Sequence, residues 1–299
     1  MDWLTRMNAA LAYVEENLDG EINPAVLTKL ACCSSYNFHR IFSYITDISL
    51  AEYIRRRRLT LAALELQNCD IKVIDLAVKY GYDSPVSFSR AFQHLHGITP
   101  TEARANGATL KAFPKMSFQI SIRGVKEMNY RIETKEAFQL FGIEEVRKEE
   151  ETPQEAEDHN TIVMIDMDIE EAAYKKLAAD AGDLPAFVGK DLGKVHSVFA
   201  YRQTEPGTFP VMACAFRGPN SNTAGYTLVD IPAHTWAIFP SEKHEEKDSD
   251  TVLVQLNKRI YSDWLPTANY ELVSDLEMEV NGGEGENIFV EVWVPVRKK

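Results

Sequence analysis

Two stripes of polar side chains recur at helical spacing in the first hundred residues. One is Tyr36, His39, Arg40 and Ser43; the other is Val86, Ser89, Arg90 and Gln93, with Ser87 beside it. An arginine on such a stripe offers two parallel donors that match the O6/N7 edge of guanine, and a helix carrying it fits the major groove of DNA. A different chemistry stands near the C-terminus. Ile288, Val290, Val292, Val294 and Val296 alternate with Phe289, Glu291 and Trp293, so a strand there would set one carboxylate between two aromatics on one face. A buried carboxylate is costly unless paired. That face therefore suits a cationic or amphipathic small molecule, held by Glu291 and by ring faces. The plainer reading is a partly exposed Glu291 paired with a lysine or arginine. Tyr201, Phe216 and Trp236 are further aromatic wall candidates, each equally at home in a core.

The elements that position the first stripes are legible. Shifting residues by 50 without gaps sets Lys29 on Lys79, Ser34 on Ser84, Phe38 on Phe88, Arg40 on Arg90, Phe42 on Phe92 and Glu52 on Glu102. One supersecondary unit is used twice. In the first copy, Asn23 and Pro24 open a helix that turns Leu27 and Leu30 inward. Ser34 or Ser35 caps the next helix, with Phe38, Ile41, Phe42 and Ile45 inside. In the second copy, Asp70 is expected to cap a helix facing inward with Ile71, Ile74, Ala77 and Val78, ended by Gly81. Ser84-Pro85 then starts a helix packed through Phe88, Ala91, Phe92 and Leu95. Between the copies, 51–67 is one helix; Leu59, Ala62, Ala63 and Leu66 are expected to tie it to both copies while Arg55–Arg58 lie on a solvated face or snorkel. Two helix-turn-helix units on a stiff connector would place both reading helices in consecutive major grooves, about 34 Å apart.

The chain has 299 residues, enough for about two domains. Residues 1–107 read as an all-α domain, 108–117 as a linker with weak periodicity, a glycine and a proline, and 118–299 as an α+β domain. The last reads as a duplicated strand–helix–strand–strand unit: strands at 130–146, 195–202 and 211–216 around a helix at about 154–180, then strands at 226–239, 271–280 and 287–296 around a helix at about 250–264. The acidic run Glu149-Glu150-Glu151 reads as a solvated helix entry, and Asp275, Glu277 and Glu279 as ordinary surface. Net charge is −13, which argues against a uniformly basic nucleic-acid binder. The first 107 residues hold 11 basic and 12 acidic side chains, however, against 21 and 33 in the rest. DNA contact would then rest on Lys29, Arg40 and Arg55–Arg58, and be modest and salt-sensitive. No apolar run is long enough to span a membrane, no secretory signal opens the chain, and the four cysteines form no disulfide frame or zinc site. A cytoplasmic protein without membrane contact is expected. His94-Leu95-His96 and His244-Glu245-Glu246 are too short to specify a metal and are expected at the surface. Nucleophile elbow, metal motif and phosphate loop are all missing from the sequence, so neither catalysis nor a cofactor is expected.

Residues 8–104 resemble the DNA-binding domain of the AraC/XylS transcription regulators. The likeness is carried by Leu30–Phe42, Glu52-Tyr53-Ile54-Arg55, Arg58-Leu59, Ile74-Asp75-Leu76-Ala77, Gly81-Tyr82-Asp83-Ser84, Phe88-Ser89-Arg90-Ala91-Phe92 and Gly97-Ile98-Thr99-Pro100-Thr101-Glu102. It implies double-stranded DNA and RNA polymerase as partners, an activator's role, and base contacts at Tyr36, His39, Arg40, Val86, Ser87 and Arg90. The family usually has glycine where Cys32 and Asp47 stand, which points to altered geometry in the first unit. Val86 can touch only a thymine methyl, so the second reading helix leans on Arg90. Residues from about 118 resemble the GyrI-like small-molecule-binding domain through Tyr226–Phe239, Trp264-Leu265-Pro266-Thr267, Tyr270-Glu271 and Val290–Val296. That resemblance implies two repeats around a hydrophobic cleft with an acidic residue for cationic ligands, a role that falls on Glu291, with Trp293, Trp236, Tyr201 and Phe216 as walls. The alternatives are a GyrI-like hydrolase using Glu291 as general base, or a ligand-free polymerase-interaction module.

Overall fold

Asn23 accepts a hydrogen bond from the Ala25 amide at 2.9 Å and Pro24 takes the first helical position, so the first reading unit begins as its sequence dictates. The computed structural model describes residues 3–105, 107–119, 127–148, 167, 169–205, 207–285 and 287–299. The described residues fall into two compact units, one up to Gln119 and one from Glu127 onward.

The first unit is helical: α1 (Trp3–Glu16), α2 (Pro24–Ala31), α3 (Ser35–Thr46), α4 (Leu50–Asn68), α5 (Val73–Lys79) and α6 (Pro85–His96). Ser34, Ser49 and Ser84 cap α3, α4 and α6 by accepting from the amide three residues on. Leu59, Ala62, Ala63 and Leu66 of α4 share a core with Leu76, Phe88 and Phe92, as their spacing requires. Cys32 and Asp47, where glycine was expected, both adopt left-handed backbone at φ 55° and 60°. The turns therefore keep the geometry glycine would supply, and the expected alteration is absent; the side chains carry the steric cost instead.

Three expectations for this unit are corrected. Asp70 caps nothing: α5 starts at Val73 without a side-chain cap, because Asp70 lies three residues ahead of it, exposed, 3.6 Å from Arg104. Ile74 and Val78 point outward, since so short a helix needs only Leu76 and Ala77 to reach the core. Arg55–Arg58 do not form a free basic face. Arg55 and Arg56 both bond the buried Glu52, Arg57 bonds Glu15 at 2.8 Å and the Phe113 carbonyl at 2.6 Å, and Arg58 bonds the carbonyls of Leu18 and Gly20 at 2.8 Å. These guanidiniums satisfy acceptors inside the unit, which removes them from the pool available to phosphate.

The stretch at 108–117, read as a linker, lies extended on the helical unit. The Phe113 amide donates to Thr60 Oγ1 at 3.1 Å and the Met116 amide to Tyr53 Oη at 3.1 Å. Just beyond it, Asn8 exchanges two 2.8 Å bonds with the Phe118 backbone. Phe118 packs edge-on to Phe42 of α3.

Among the described residues, the second unit is one antiparallel sheet with two α-helices. Its strands are β1 (Arg131–Lys135), β2 (Phe138–Lys148), β3 (His196–Phe199), β4 (Thr208–Phe216), β5 (Thr227–Ile231), β6 (His234–Pro240), β7 (Tyr270–Leu272), β8 (Glu277–Gly282) and β9 (Phe289–Lys298); its helices are α7 (Glu171–Asp180) and α8 (Ser249–Arg259), the latter running into a π turn at Ile260–Trp264. The sheet order is β1-β6-β9-β8-β3-β4-β2-β5, with β7 beside β9. Exchanging β1, β2, β3, β4 for β5, β6, β8, β9 reverses this order onto itself. The duplication is therefore a two-fold repeat about the β3–β8 junction. Two strands expected to be continuous are each broken. The stretch at 130–146 splits at Glu136-Ala137 into β1 and β2, and that at 226–239 splits at Pro232-Ala233 into β5 and β6. The short leading strand of each repeat then pairs with the other repeat, β1 with β6 and β5 with β2. The stretch at 271–280 likewise divides, into β7 and β8. Of the helix expected at 154–180, Glu171–Asp180 is described; Glu149-Glu150-Glu151 and most of the residues that follow up to 168 lie outside the described residues.

Helix α7 packs through Leu177 and Ala181 on Phe141, Ala213 and Ala215. Trp264, in the turn after α8, packs on Phe239 at 4.9 Å. In the sheet's registers these residues alternate with Leu140, Cys214, Phe216 and Ile238, so both helices cover one face and leave the other to a separate core. Glu277, expected at the surface, is buried on the helix side and accepts from Tyr261 Oη at 2.9 Å.

Candidate DNA-reading helices and effector face

The two reading helices present their stripes differently. On α6, Val86 is 61% exposed and Arg90 is exposed. Ser87 bonds back to the carbonyl of Ser84 at 2.9 Å, so its hydroxyl serves the cap. On α3, the expectation of an outward arginine is corrected: Arg40 is only 7% exposed. Tyr36 and Tyr44 stand one turn to either side of it, with ring centres 6.0 and 5.4 Å from the guanidinium carbon, and Arg40 Nε donates to Tyr44 Oη at 3.1 Å. Tyr36 is buried as well. His39 is half-buried, and burial pushes its imidazole down to about 4, so it is neutral at ordinary pH. His96, expected at the surface, is buried against Phe92 with its Nε2 3.2 Å from the Leu59 carbonyl.

On the sheet face that neither α7 nor α8 covers, Leu184, Val188 and Leu192 pack and leave Trp236, Phe216 and Trp293 buried. There the register sets Trp293 between Ile238 and Met278, and Glu291 between Pro240 and Val280. Trp236 and Phe216 lie on this same face, with ring centres 5.9 and 6.0 Å from Trp293. Four of the five expected effector residues are thus brought together. Tyr201 packs at the edge of the cluster and hands its hydroxyl to Glu144.

Glu291 is buried and paired. Arg131 grips both carboxylate oxygens, at 2.7 and 2.8 Å, and Trp293 Nε1–H donates to one of them at 2.8 Å. Arg131 also bonds Glu133 at 2.7 Å, and Lys135 bonds the other Glu133 oxygen at 2.7 Å. The hydrogen bond to Glu291 holds the Arg131 guanidinium above its usual range. Burial works to raise the Glu133 carboxyl, but the bonds from Lys135 and Arg131 outweigh it and leave the group below the usual carboxylate range. The Lys135 ammonium lies 4.7 Å from the Trp293 ring centre and 5.7 Å from that of Phe187. Two cations and two carboxylates therefore alternate beside an aromatic cluster. With both oxygens engaged by a guanidinium, Glu291 is poorly placed to take a proton from water.

Arg131, Glu133, Lys135, Phe138 and Phe187 escaped sequence reasoning. The alternation of Arg131, Glu133 and Lys135 put three charges on one face, but only the pairing of β1 with β6, from the other repeat, sets that face beside Trp293. His196 was missed too. Its Nδ1 accepts from the Asn281 amide at 3.2 Å, its Nε2 has no partner among the described residues, and burial pushes its imidazole down to about 3.

A family model described as a helix-turn-helix domain matches residues 27–106, and one described as an integron-associated effector binding protein matches residues 131–296. The chain is 36% identical to the regulatory protein SoxS of Escherichia coli (strain K12) over 94 residues, which make up 31% of this chain and 88% of that protein. It is 37% identical to the HTH-type transcriptional activator AarP of Providencia stuartii over 91 residues, 30% of this chain and 67% of that one. A solved structure of SAV2435 bound to tetraphenylphosphonium is similar at 15% identity and a TM-score of 0.38, over 57% of this chain and 94% of that one. The exposed α6, the capped helix pairs, the two family models and the two curated relatives agree: the chain belongs to the AraC-type DNA-binding transcription regulators, not to an enzyme family, and carries a C-terminal effector-binding domain of the integron-associated, GyrI-like kind.

Proposed function

We propose that the chain is a cytoplasmic transcription activator whose helical unit reads double-stranded DNA through α3 and α6, and whose sheet face around Glu291 binds a small amphipathic cation that alters its output. Base contacts fall to Tyr36, His39, Arg40, Val86, Ser87 and Arg90, and activation runs through contact with RNA polymerase. The effector's apolar body lies on Trp293, Trp236 and Phe216, with Tyr201 at the edge, while its charge is answered by Glu291. The observation that carries this reading is a buried carboxylate on an aromatic face, already satisfied by a positive group. Such a place discriminates cations from neutral molecules of the same shape, because only a cation keeps the carboxylate charge of the face balanced when a resident positive group moves aside.

Tetraphenylphosphonium is a suitable probe, since its charge is shielded by four phenyl rings and it has no hydrogen-bonding group. Calorimetric titration of the full chain should show binding that Glu291→Gln weakens by about tenfold or more, the scale of one desolvated cation contact. Equal affinity for wild type and Glu291→Gln would overturn the role given to Glu291.

A further inference from the structure

Lys135 sits where a ligand cation would be expected. Its side chain is 7% exposed, rare for a lysine unless it is paired. Its ammonium faces the Trp293 ring at 4.7 Å and bonds Glu133 at 2.7 Å, with the Phe187 carbonyl at 3.4 Å. An ammonium held over a tryptophan face beside a carboxylate is the arrangement by which proteins recognise organic cations. Here the chain supplies the cation itself. Arg131 and Lys135 together balance Glu133 and Glu291, so the face is electrically neutral with nothing bound.

We infer that Lys135 is a tethered stand-in for the effector's positive group, which a cationic effector displaces from Trp293, so that this lysine sets the affinity and selectivity of the face. The inference rests on the proposed role of the face in binding a cation. A second cation placed beside Lys135 would leave the site with an excess positive charge in a poorly solvated place. Displacement restores balance. Of the two resident cations, Lys135 is the one able to leave. Arg131 is gripped by both oxygens of Glu291 and by Glu133, whereas Lys135 has one carboxylate partner and a four-carbon stem that can carry its ammonium to water. Lys135 covers the Trp293 ring and satisfies the Glu133 oxygen that Arg131 leaves free.

The consequence is a pair of effects with opposite sign. Removing the ammonium should tighten cation binding and at the same time lower the stability of the ligand-free protein, because the same group competes with ligand and substitutes for it. A lysine with a purely structural role would lower stability without tightening binding.

The test is titration of the full chain with tetraphenylphosphonium, alongside thermal unfolding without ligand. The variants are Lys135→Met, which keeps the stem, Lys135→Gln as a second neutral replacement, and Lys175→Met, which removes one exposed charge from α7 on the other side of the sheet. The expected result is binding about tenfold tighter in both Lys135 variants, a lower melting midpoint in each without ligand, and no change in affinity for Lys175→Met. If wild type binds the probe through Glu291 while the Lys135 variants bind it equally or more weakly, the stand-in role is overturned and the proposed effector face survives. If neither wild type nor any Lys135 variant binds the probe, both readings fall together.

Discussion

Arg40 and Arg90 occupy equivalent places in the two repeats, yet they enter recognition from different starting points. Arg90 is exposed on α6, beside a valine that can offer a base edge only an apolar contact. Arg40 must first break its bond to Tyr44 and leave two tyrosine rings, a cost on the scale of one hydrogen bond, about 0.5–1.5 kcal/mol. The two substitutions should therefore be unequal. Arg90→Ala is expected to cost about 1–3 kcal/mol of specific binding and to relax preference at one base position. Arg40→Ala should cost less by roughly the value of the bond already made. Selection of binding sites from a random pool, followed by anisotropy titrations on the selected duplex, measures both. A sequence preference unchanged in Arg90→Ala would remove that residue from the reading surface. The repeat at a shift of 50 residues revealed the equivalence of the two arginines. It did not reveal the pinning, because Tyr44, one turn beyond Arg40, has His94 as its counterpart at that shift, so the pair of tyrosines around the arginine is peculiar to the first copy.

Among the elements, the segment at 108–119 and helix α4 depend on each other. Arg57 is the point where they meet: it bonds Glu15 of α1, whose side chain is 6% exposed, and the carbonyl of Phe113. Burial raises the Glu15 carboxyl and the bonds from Arg57 and Tyr53 lower it further, so the group stays ionised. Arg57→Ala would leave this carboxylate with the Tyr53 hydroxyl and the charge of Lys115 alone among the described residues that favour it, and the strap without one of its anchors. A loss of about 3–5 kcal/mol is expected for breaking a buried pair from one side, read from equilibrium unfolding of the full chain by its helical signal. Arg57→Lys should recover only part of it, since an ammonium cannot grip both oxygens and the carbonyl with a planar fork. A loss under about 1 kcal/mol in Arg57→Ala would place Arg57 with ordinary surface pairs. The same elements mark what the sequence could reveal. Helix pairs whose caps and apolar spacing are local were legible to within a few residues. The strand breaks at Glu136-Ala137 and Pro232-Ala233 were not, because period-two alternation runs on past them and only pairing with the other repeat separates the pieces. Glu291, Trp293, Trp236 and Phe216 were legible as one face from alternation and aromatic content. Arg131 and Lys135 reach that face through long-range register alone, and Arg57 and Arg58 looked solvated because their partners lie some forty residues before and fifty-six after, whereas Arg55 and Arg56 share Glu52 within one helical turn.

At the scale of the whole chain, charge per unit decides more than the total of −13. Residues 1–107 are close to neutral, and four of their basic side chains are committed to Glu15, Glu52 and backbone carbonyls. What remains for phosphate is a small set of exposed cations, so the counterion-release contribution to DNA binding is modest. The remainder of the chain carries 33 acidic against 21 basic side chains, and its field opposes the approach of DNA over about one Debye length. The helical unit expressed alone as residues 1–119, the extent of the first unit, should then bind a given duplex more tightly than the full chain at about 50 mM salt, with the gap narrowing toward zero near about 300 mM as screening shortens the range of that field. Anisotropy titrations of both proteins across this range measure it. A gap that keeps its size at high salt would assign the difference to direct obstruction instead of charge, since contact between surfaces is not screened by ions while repulsion across water is.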